Sequence, residues 1–573
     1  MVHRPSVRRL ALAAGVISSL AWLAACGQSG AAPTTSPGVP AGSGPAGSGP
    51  AASGSADPGS AGAVDQIRAG IIGDESTLTP YTYVTGFPGW NLLMLQYDSL
   101  LQFDVNGEVQ PWLASEYAVS DDGLTYTVDL VSDVTWSDGE PLTPDDVRFT
   151  IDYFLANTHS RFTTNLASVS EVEVTGDSQV TITLEDPNPA FAVGALADIP
   201  IIPQHVWEAV DNPDEATFEG LTNVGTGPYQ LVEYTPDQSY RFEANPDYFR
   251  GVPQADELIL VQYADEAGLV AALRTDAIDV TFRTISPEQV RALESVEGVE
   301  VAQGPEFSTQ MLYYDVTKPP FDQLPVRQAI SLAIDRQDLL DTVFLGAATL
   351  GNAGWTHPDS PAFNDAVETR TDVDEANAIL DEASITDSDG DGIREFDGQP
   401  LSPELLAPSD NPLRLRMAEL IKEMLLQVGF DVTVTSLERE TLVNQVWPDF
   451  DVANGRDYEM SMFGWSAPVQ VDPSEITSLL HSDPAIGSIN ISGFADAEAD
   501  EIADQLRVEQ DEATRQELLD QLQVITAERL PFVMLLYGDG AYGYRSDVYA
   551  DWTFITGQGI VTKLSLLAAD ARP

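Results

Sequence analysis

Apolar and polar residues alternate in short runs along much of this chain, and between those runs the apolar spacing lengthens to three or four. Leu124, Tyr126, Val128 and Leu130 alternate with polar neighbours, as on a half-buried strand. A turn follows at Trp136-Ser137-Asp138-Gly139. Thr143-Pro144-Asp145-Asp146 then reads as a helix start, with Thr as the cap, Pro in the first turn and two acids facing the helix dipole. Val147, Ile151 and Phe154 supply the apolar stripe of that helix. Val180, Ile182 and Leu184 predict a second strand. Further on, Leu413, Met417, Leu420 and Met424 mark a helix that Gly429 ends, and Phe430, Val432 and Val434 predict the strand after it. Two late helices are expected, one over about 496–508 and one presenting Leu518, Leu522 and Ile525. Leu530 to Leu536 reads as a buried strand. Helices alternating with strands through short links indicate an α/β chain.

The first 64 residues follow a different pattern. Arg4, Arg8 and Arg9 precede an apolar run from Leu10 to Ala25. That run is shorter than the roughly 20 residues a membrane span needs, and it has the layout of a signal peptide over 1–25. From Gly27 to Ala63 the chain is almost entirely Gly, Ala, Ser, Pro and Thr, so 26–64 reads as a flexible tether.

Composition narrows the function classes. The chain has 573 residues, 43% of them hydrophobic, which allows large cores. Its net charge is -63, and the leader and tether hold one acid, Asp57, so the folded part carries the excess. Such a polyanion repels phosphate backbones and anionic lipid surfaces, which excludes nucleic acid as a partner. Only Lys318, Lys422 and Lys563 are lysines. Either salt-rich surroundings or a genome-wide composition bias accounts for that. The single cysteine, Cys26, rules out an intramolecular disulfide and a Cys-rich metal site. No nucleophile elbow, His-Glu-x-x-His helix, phosphate loop or dinucleotide fingerprint occurs, so no enzyme and no cofactor are expected. Asp387-Ser388-Asp389-Gly390-Asp391-Gly392 begins like a calcium loop, but position twelve is Gly398 where a bidentate Glu is needed. Glu395 or Asp397 could substitute, and a solvated acidic turn is the simpler reading.

Several segments, taken in order, resemble a known family. They are Tyr97-Asp98-Ser99-Leu100-Leu101, Pro111-Trp112-Leu113-Ala114-Ser115, Asp121 to Tyr126, Trp136 to Thr143 and Gly225-Thr226-Gly227-Pro228-Tyr229. Asn245 to Tyr248, Pro320-Phe321, Val326 to Ile330, Ala333 to Arg336, Gly464-Trp465 and Asp472-Pro473 complete the series. Together they resemble the extracytoplasmic solute-binding proteins of ABC transporters, family 5, which includes oligopeptide- and dipeptide-binding proteins. Leu23-Ala24-Ala25-Cys26 likewise resembles a lipobox, which implies a lipidated Cys26 and anchorage on the outer face of a cell membrane or in the periplasm.

The resemblance implies a two-lobed α/β fold of the periplasmic-binding-protein type, class II in its large three-domain form, with a hinge and an interlobe cleft. It implies a discontinuous first domain over 65–101, 188–300 and 535–573, a second over 102–187 and a third over 301–534. The implied function is capture of a small solute, a peptide above all, by hinge closure and its delivery to an ABC permease and ATPase, by a monomer. A non-peptide solute (oligosaccharide, opine, chelated metal) and presentation to a membrane sensor are the alternatives. Gly86, Phe87 and Trp90 near one lobe and Gly464, Trp465 and Ser466 near the other are expected at the ligand. Phe307, Trp355 and Tyr537 are aromatic candidates for the same cleft. Where peptide-binding members carry an Asp that pairs with the ligand ammonium, this chain has Pro468, and Asp472 is the nearest acid that could serve.

Overall fold

A computed structural model describes residues 64–84, 88–105, 107–159, 161–217, 223–466 and 472–573. Cys26, Gly86, Phe87 and Pro468 lie outside the described residues.

The predicted early elements form where the pattern puts them. Thr125–Leu130 and Gln179–Leu184 pair antiparallel at the centre of a four-stranded sheet, with Ala114–Val119 and Val169–Val174 on the edges. Helix Pro144–Ala156 packs Val147, Ile151 and Phe154 into the same core as Tyr126, Val128, Val180 and Ile182. Its start is fixed by Asp146, whose carboxylate accepts the Thr143 backbone N–H at 2.8 Å and its hydroxyl at 2.9 Å. The late helices run over Ala497–Leu506 and Glu512–Arg529, each capped by the preceding Asp, Asp496 and Asp511.

Two expectations change. The strand expected at Phe430 begins instead at Thr433 and runs to Leu437. Phe430 and Val432 are buried, but Asp431 N–H and Thr433 N–H bond to Leu401 and Pro403 carbonyls while the chain climbs into register with Glu404–Pro408. The strand expected over 530–536 is Phe532–Arg545, much longer than its pattern suggests. The expected strand stops at Leu536, yet the chain stays paired through Gly538-Asp539-Gly540 with Val299–Tyr314. Cross-strand pairing overrides weak strand propensity there.

These two long strands organise the molecule. They lie side by side in an eleven-stranded sheet, between Met460–Phe463 on one flank and Val280–Thr281 on the other. Val299 to Pro305 faces the half-sheet built on Val64–Ile72 and Ala255–Tyr263. Ser308 to Tyr314 faces the half-sheet of Met460–Phe463, Glu404–Pro408 and Thr433–Leu437. The register shifts between Pro305 and Ser308, so the long strand pair carries a bulge there.

One buried node explains why the early sequence motifs travel together. The Asp98 carboxylate is fully buried, and it accepts from Trp112 Nε1 (2.7 Å), Tyr248 Oη (3.0 Å), Thr226 Oγ1 (3.0 Å) and Lys563 Nζ (2.7 Å). Lys563 also donates to the Tyr97 carbonyl. Burial lowers the Lys563 pKa, and Asp98 beside it works the other way. Gly225 sits where a Cβ would fall 1.9 Å from the Gln96 carbonyl oxygen, so only glycine lets these two segments meet. Arg327 and Asp335 are structural as well. Arg327 donates to the Arg529 and Phe321 carbonyls, and Asp335 caps helix Arg336–Thr342.

Candidate ligand-binding cleft

A cavity of about 860 Å³ opens beside the Pro305–Ser308 bulge. Its volume lies within the ~300–1,000 Å³ of small-molecule sites. Trp90 enters from the short helix Gly89–Leu93, and its Nε1 donates to the Asp198 carbonyl at 3.3 Å. Arg161 lies over the Trp90 ring at 4.8 Å and holds Asp198 through two bonds of 2.7 and 2.6 Å. Burial opposes the Arg161 charge, but Asp198 outweighs it and raises the Arg161 pKa. His159 stacks on Phe162, and burial followed by the Arg161 charge pushes its pKa down to about 4. Tyr83 borders the same space, its pKa pushed up to about 12 by burial. Glu108 and the segment Thr556-Gly557-Gln558 add further polar lining.

The opposite wall comes from Phe307, Asp359, Ser360, Trp447, Ser466, Asp472 and Glu475. Phe307 sits in the bulge with φ 55, a conformation that costs a bulky residue energy and places its ring on His357 at 4.4 Å. Asp472 caps the 3-10 turn Pro473–Glu475 by accepting Ser474 N–H at 2.9 Å and Ser474 Oγ at 2.6 Å. Three residues make one turn of such a helix, so Asp472 and Glu475 share a face. Burial first, then the Asp472 charge, pushes the Glu475 pKa up to about 7, against a hydrogen bond from Ser478.

This gives a pH prediction. A carboxyl whose folded pKa is raised favours the fold in its protonated form. The penalty for its charge is full above pH 7 and fades as pH falls towards the unfolded value near 4.5. Glu475→Gln should therefore stabilise the fold by about 2 kcal/mol at pH 8 and by almost nothing at pH 4. Melting curves of both proteins across that range check it; a pH-independent difference would sink the assignment.

Of the residues expected at the ligand, Trp90, Phe307, Ser466 and Asp472 line the cavity. Three aromatic candidates are not among the lining residues. Trp465 is only 8% exposed and stands behind the wall, with its ring edge-on to Trp447 and Phe463 and its Nε1 donating to Tyr313 Oη at 2.8 Å. Trp355 and Tyr537 are fully buried. The Tyr537 hydroxyl donates to the Trp355 carbonyl at 2.7 Å and its ring backs His357, so both support Phe307 from behind. Gly464 allows close contact, since a Cβ there would fall 1.8 Å from the Thr309 carbonyl oxygen, and it is not among the lining residues. Sequence reasoning missed Trp447, Glu475, Glu108 and the Arg161–Asp198 pair. No local pattern marks them. The Asp387, Asp389 and Glu395 carboxylates lie within 4.8 Å of one another on the surface, away from the cleft lining. Asp387 accepts Gly390 and Gly392 N–H, which lowers its pKa.

Comparison with known proteins places this geometry. The family model for bacterial extracellular solute-binding proteins, family 5, matches residues 108–487. The oligopeptide-binding protein AppA of Bacillus subtilis is 27% identical over 479 residues, covering 82% of this chain and 85% of AppA. Among solved structures, NikA from Brucella suis in complex with Fe(III)-EDTA superposes with a TM-score of 0.77 at 24% identity, covering 87% of this chain and 99% of NikA. AgaA in complex with agropinic acid superposes at 0.69 with 23% identity, covering 88% and 98%. The chain belongs to the family 5 extracellular solute-binding proteins, and its relatives are binding proteins, not enzymes. Its fold is the two-lobed α/β architecture of that family. Among the described residues no helix is long and apolar enough to cross a membrane.

Proposed function

We propose that this chain captures a peptide-like solute in the cleft by closing its lobes about the Pro305–Ser308 bulge, then hands it to an ABC permease. The cavity beside that bulge carries the reading: segments that precede and follow the bulge in the chain both contribute side chains to it. The AppA relationship supports a peptide. Pro468, in place of the ammonium-pairing Asp, favours a second reading in which the solute is not a peptide. We keep the three-domain division at 65–101, 188–300 and 535–573, at 102–187 and at 301–534 as part of the proposal, with the long strand pair shared between the first and third. Cys26 would tether the body to the membrane by its lipid.

Thermal melting against peptide, sugar and chelated-metal libraries tests the reading. A true solute at a hundredfold excess over its Kd adds about 2.7 kcal/mol to the folded state. If no small solute moves the melting curve while a protein partner does, capture for import is wrong. The intact mass of membrane-extracted protein, with and without Cys26→Ser, reports the acyl chains.

A further inference from the structure

The two sides of the cleft also touch away from the cavity. Asp121 to Tyr126, one of the family-like segments, turns between Ala114–Val119 and Thr125–Leu130. Tyr126 and Val128 of that hairpin share a core with Trp90 and Phe191, which line the first wall. Gln510 lies in the turn between helices Ala497–Leu506 and Glu512–Arg529. Leu506, Leu518 and Leu522 of those helices belong to the core against which Trp447, of the opposite wall, is packed. A Cβ on Gly123 would fall 2.7 Å from Gln510 Cδ and 2.9 Å from its Oε1, so the Gln510 amide rests on the glycine backbone. Gly123 is buried, although Asp121 and Asp122 beside it are exposed. Neither Gly123 nor Gln510 lines the cavity.

Both turns are shaped for this contact. Gly123 takes φ 69 and donates its N–H to the Ser120 carbonyl at 2.8 Å, which leaves a bare backbone at the tip. Asp122 is held within its own turn, accepting Ser120 Oγ at 2.6 Å. On the facing turn, Glu509 Oε1 accepts the Gln510 and Asp511 N–H groups at 2.8 and 2.9 Å, and Asp511 caps the next helix. Arg515 donates to the Leu506 and Glu509 carbonyls. Gln510 Nε2 donates to the Val508 carbonyl at 3.5 Å. From Glu509 to Glu512 only Gln510 is uncharged, so the residue that meets the acidic turn at Asp121 and Asp122 is the one that does not repel it.

We propose that the seating of Gln510 on Gly123 is a closure latch: it forms when the lobes are shut, parts when they open, and sets the closed fraction of the solute-free protein. The apparent affinity for a solute scales with the fraction of protein in its binding-competent state, so the latch tunes affinity without touching the solute. This rests on lobe closure in the capture reading, but its test needs no solute.

Cys26 is the only cysteine, so the full chain with Cys26→Ser accepts a clean pair of spin labels at Ala118→Cys and Ala513→Cys, both exposed. Electron–electron double resonance without solute should show a short-distance population, the latched state. Gln510→Ala removes the contact. Gly123→Asn wedges it while keeping the turn, because Asn tolerates positive φ. Each should lower the ratio of short to long distances by about threefold or more, the size of one side-chain contact. In the Gln510→Ala background, Gly123→Asn should add little, since the group it displaces is gone. Gln510→Glu should open the lobes further than Gln510→Ala, and about 1 M salt should reverse the excess. Absence of the short distance, or a short-distance population that neither Gln510→Ala nor Gly123→Asn changes, would overturn the latch. Opening by both variants in a protein whose melting no small solute moves would keep the latch and remove the capture reading.

Discussion

Asp98→Ala should cost about 3–5 kcal/mol of folding stability, the usual loss when one member of a buried ion pair is removed. Four groups lose their acceptor at once: Trp112 Nε1, Tyr248 Oη, Thr226 Oγ1 and Lys563 Nζ. The largest part comes from Lys563, which is 4% exposed and keeps its bond to the Tyr97 carbonyl but loses its counter-ion. Its Nζ also lies 5.7 Å from the centre of the Trp112 ring. Lys563→Met in the Asp98→Ala background should recover part of the loss, because the stranded charge goes with it. Denaturant titration of the single and double variants measures both effects. A single-variant loss below about 1 kcal/mol, typical of a surface pair, would show that the node is not closed to water.

Trp465→Ala and Trp447→Ala should separate stability from binding. Trp465 is packed between Trp447 and Phe463 and tied to Tyr313, so its truncation should cost about 3–5 kcal/mol, as for other buried large aromatics. Trp447 is half-buried and faces the cavity. Its truncation should weaken solute binding by about tenfold or more, as loss of an aromatic anchor does, with a smaller loss of stability. Melting curves and titrations on the two variants decide the matter. If Trp465→Ala spares the fold and removes binding, the roles are exchanged and Trp465 is the ligand-facing indole.

The contrast between those two residues shows what could be read from the chain. Thr143-Pro144-Asp145-Asp146 announces a helix because every partner it needs lies within one turn. The Gly464-Trp465 motif marks the right neighbourhood, since Ser466 does reach the cavity. Which indole faces the solute depends on Gly464 packing on Thr309, a contact across 155 positions. Asp98 and Lys563 are likewise separated by 465 positions, and nothing local ties them. Glu475 looks like any other acid in a chain with 90 of them until burial and Asp472 set it apart. The strand's continuation through Gly538-Asp539-Gly540 is not legible locally, because it comes from pairing with Val299–Tyr314.

The shared strand pair has a consequence for biogenesis. The half-sheet built from Val64–Ile72 and Ala255–Tyr263 reaches the rest of the sheet through Val280–Thr281, whose remaining partner is Phe532–Arg545. Val299–Tyr314 also waits for that last long strand along nearly its whole length. Neither lobe is complete until the final tenth of the chain is available. The early strands can pair among themselves, but Val280–Thr281 and Val299–Tyr314 lack their main partner while some 200 residues between the two long strands are added. Joining the two halves of the large sheet is therefore expected to be a late step.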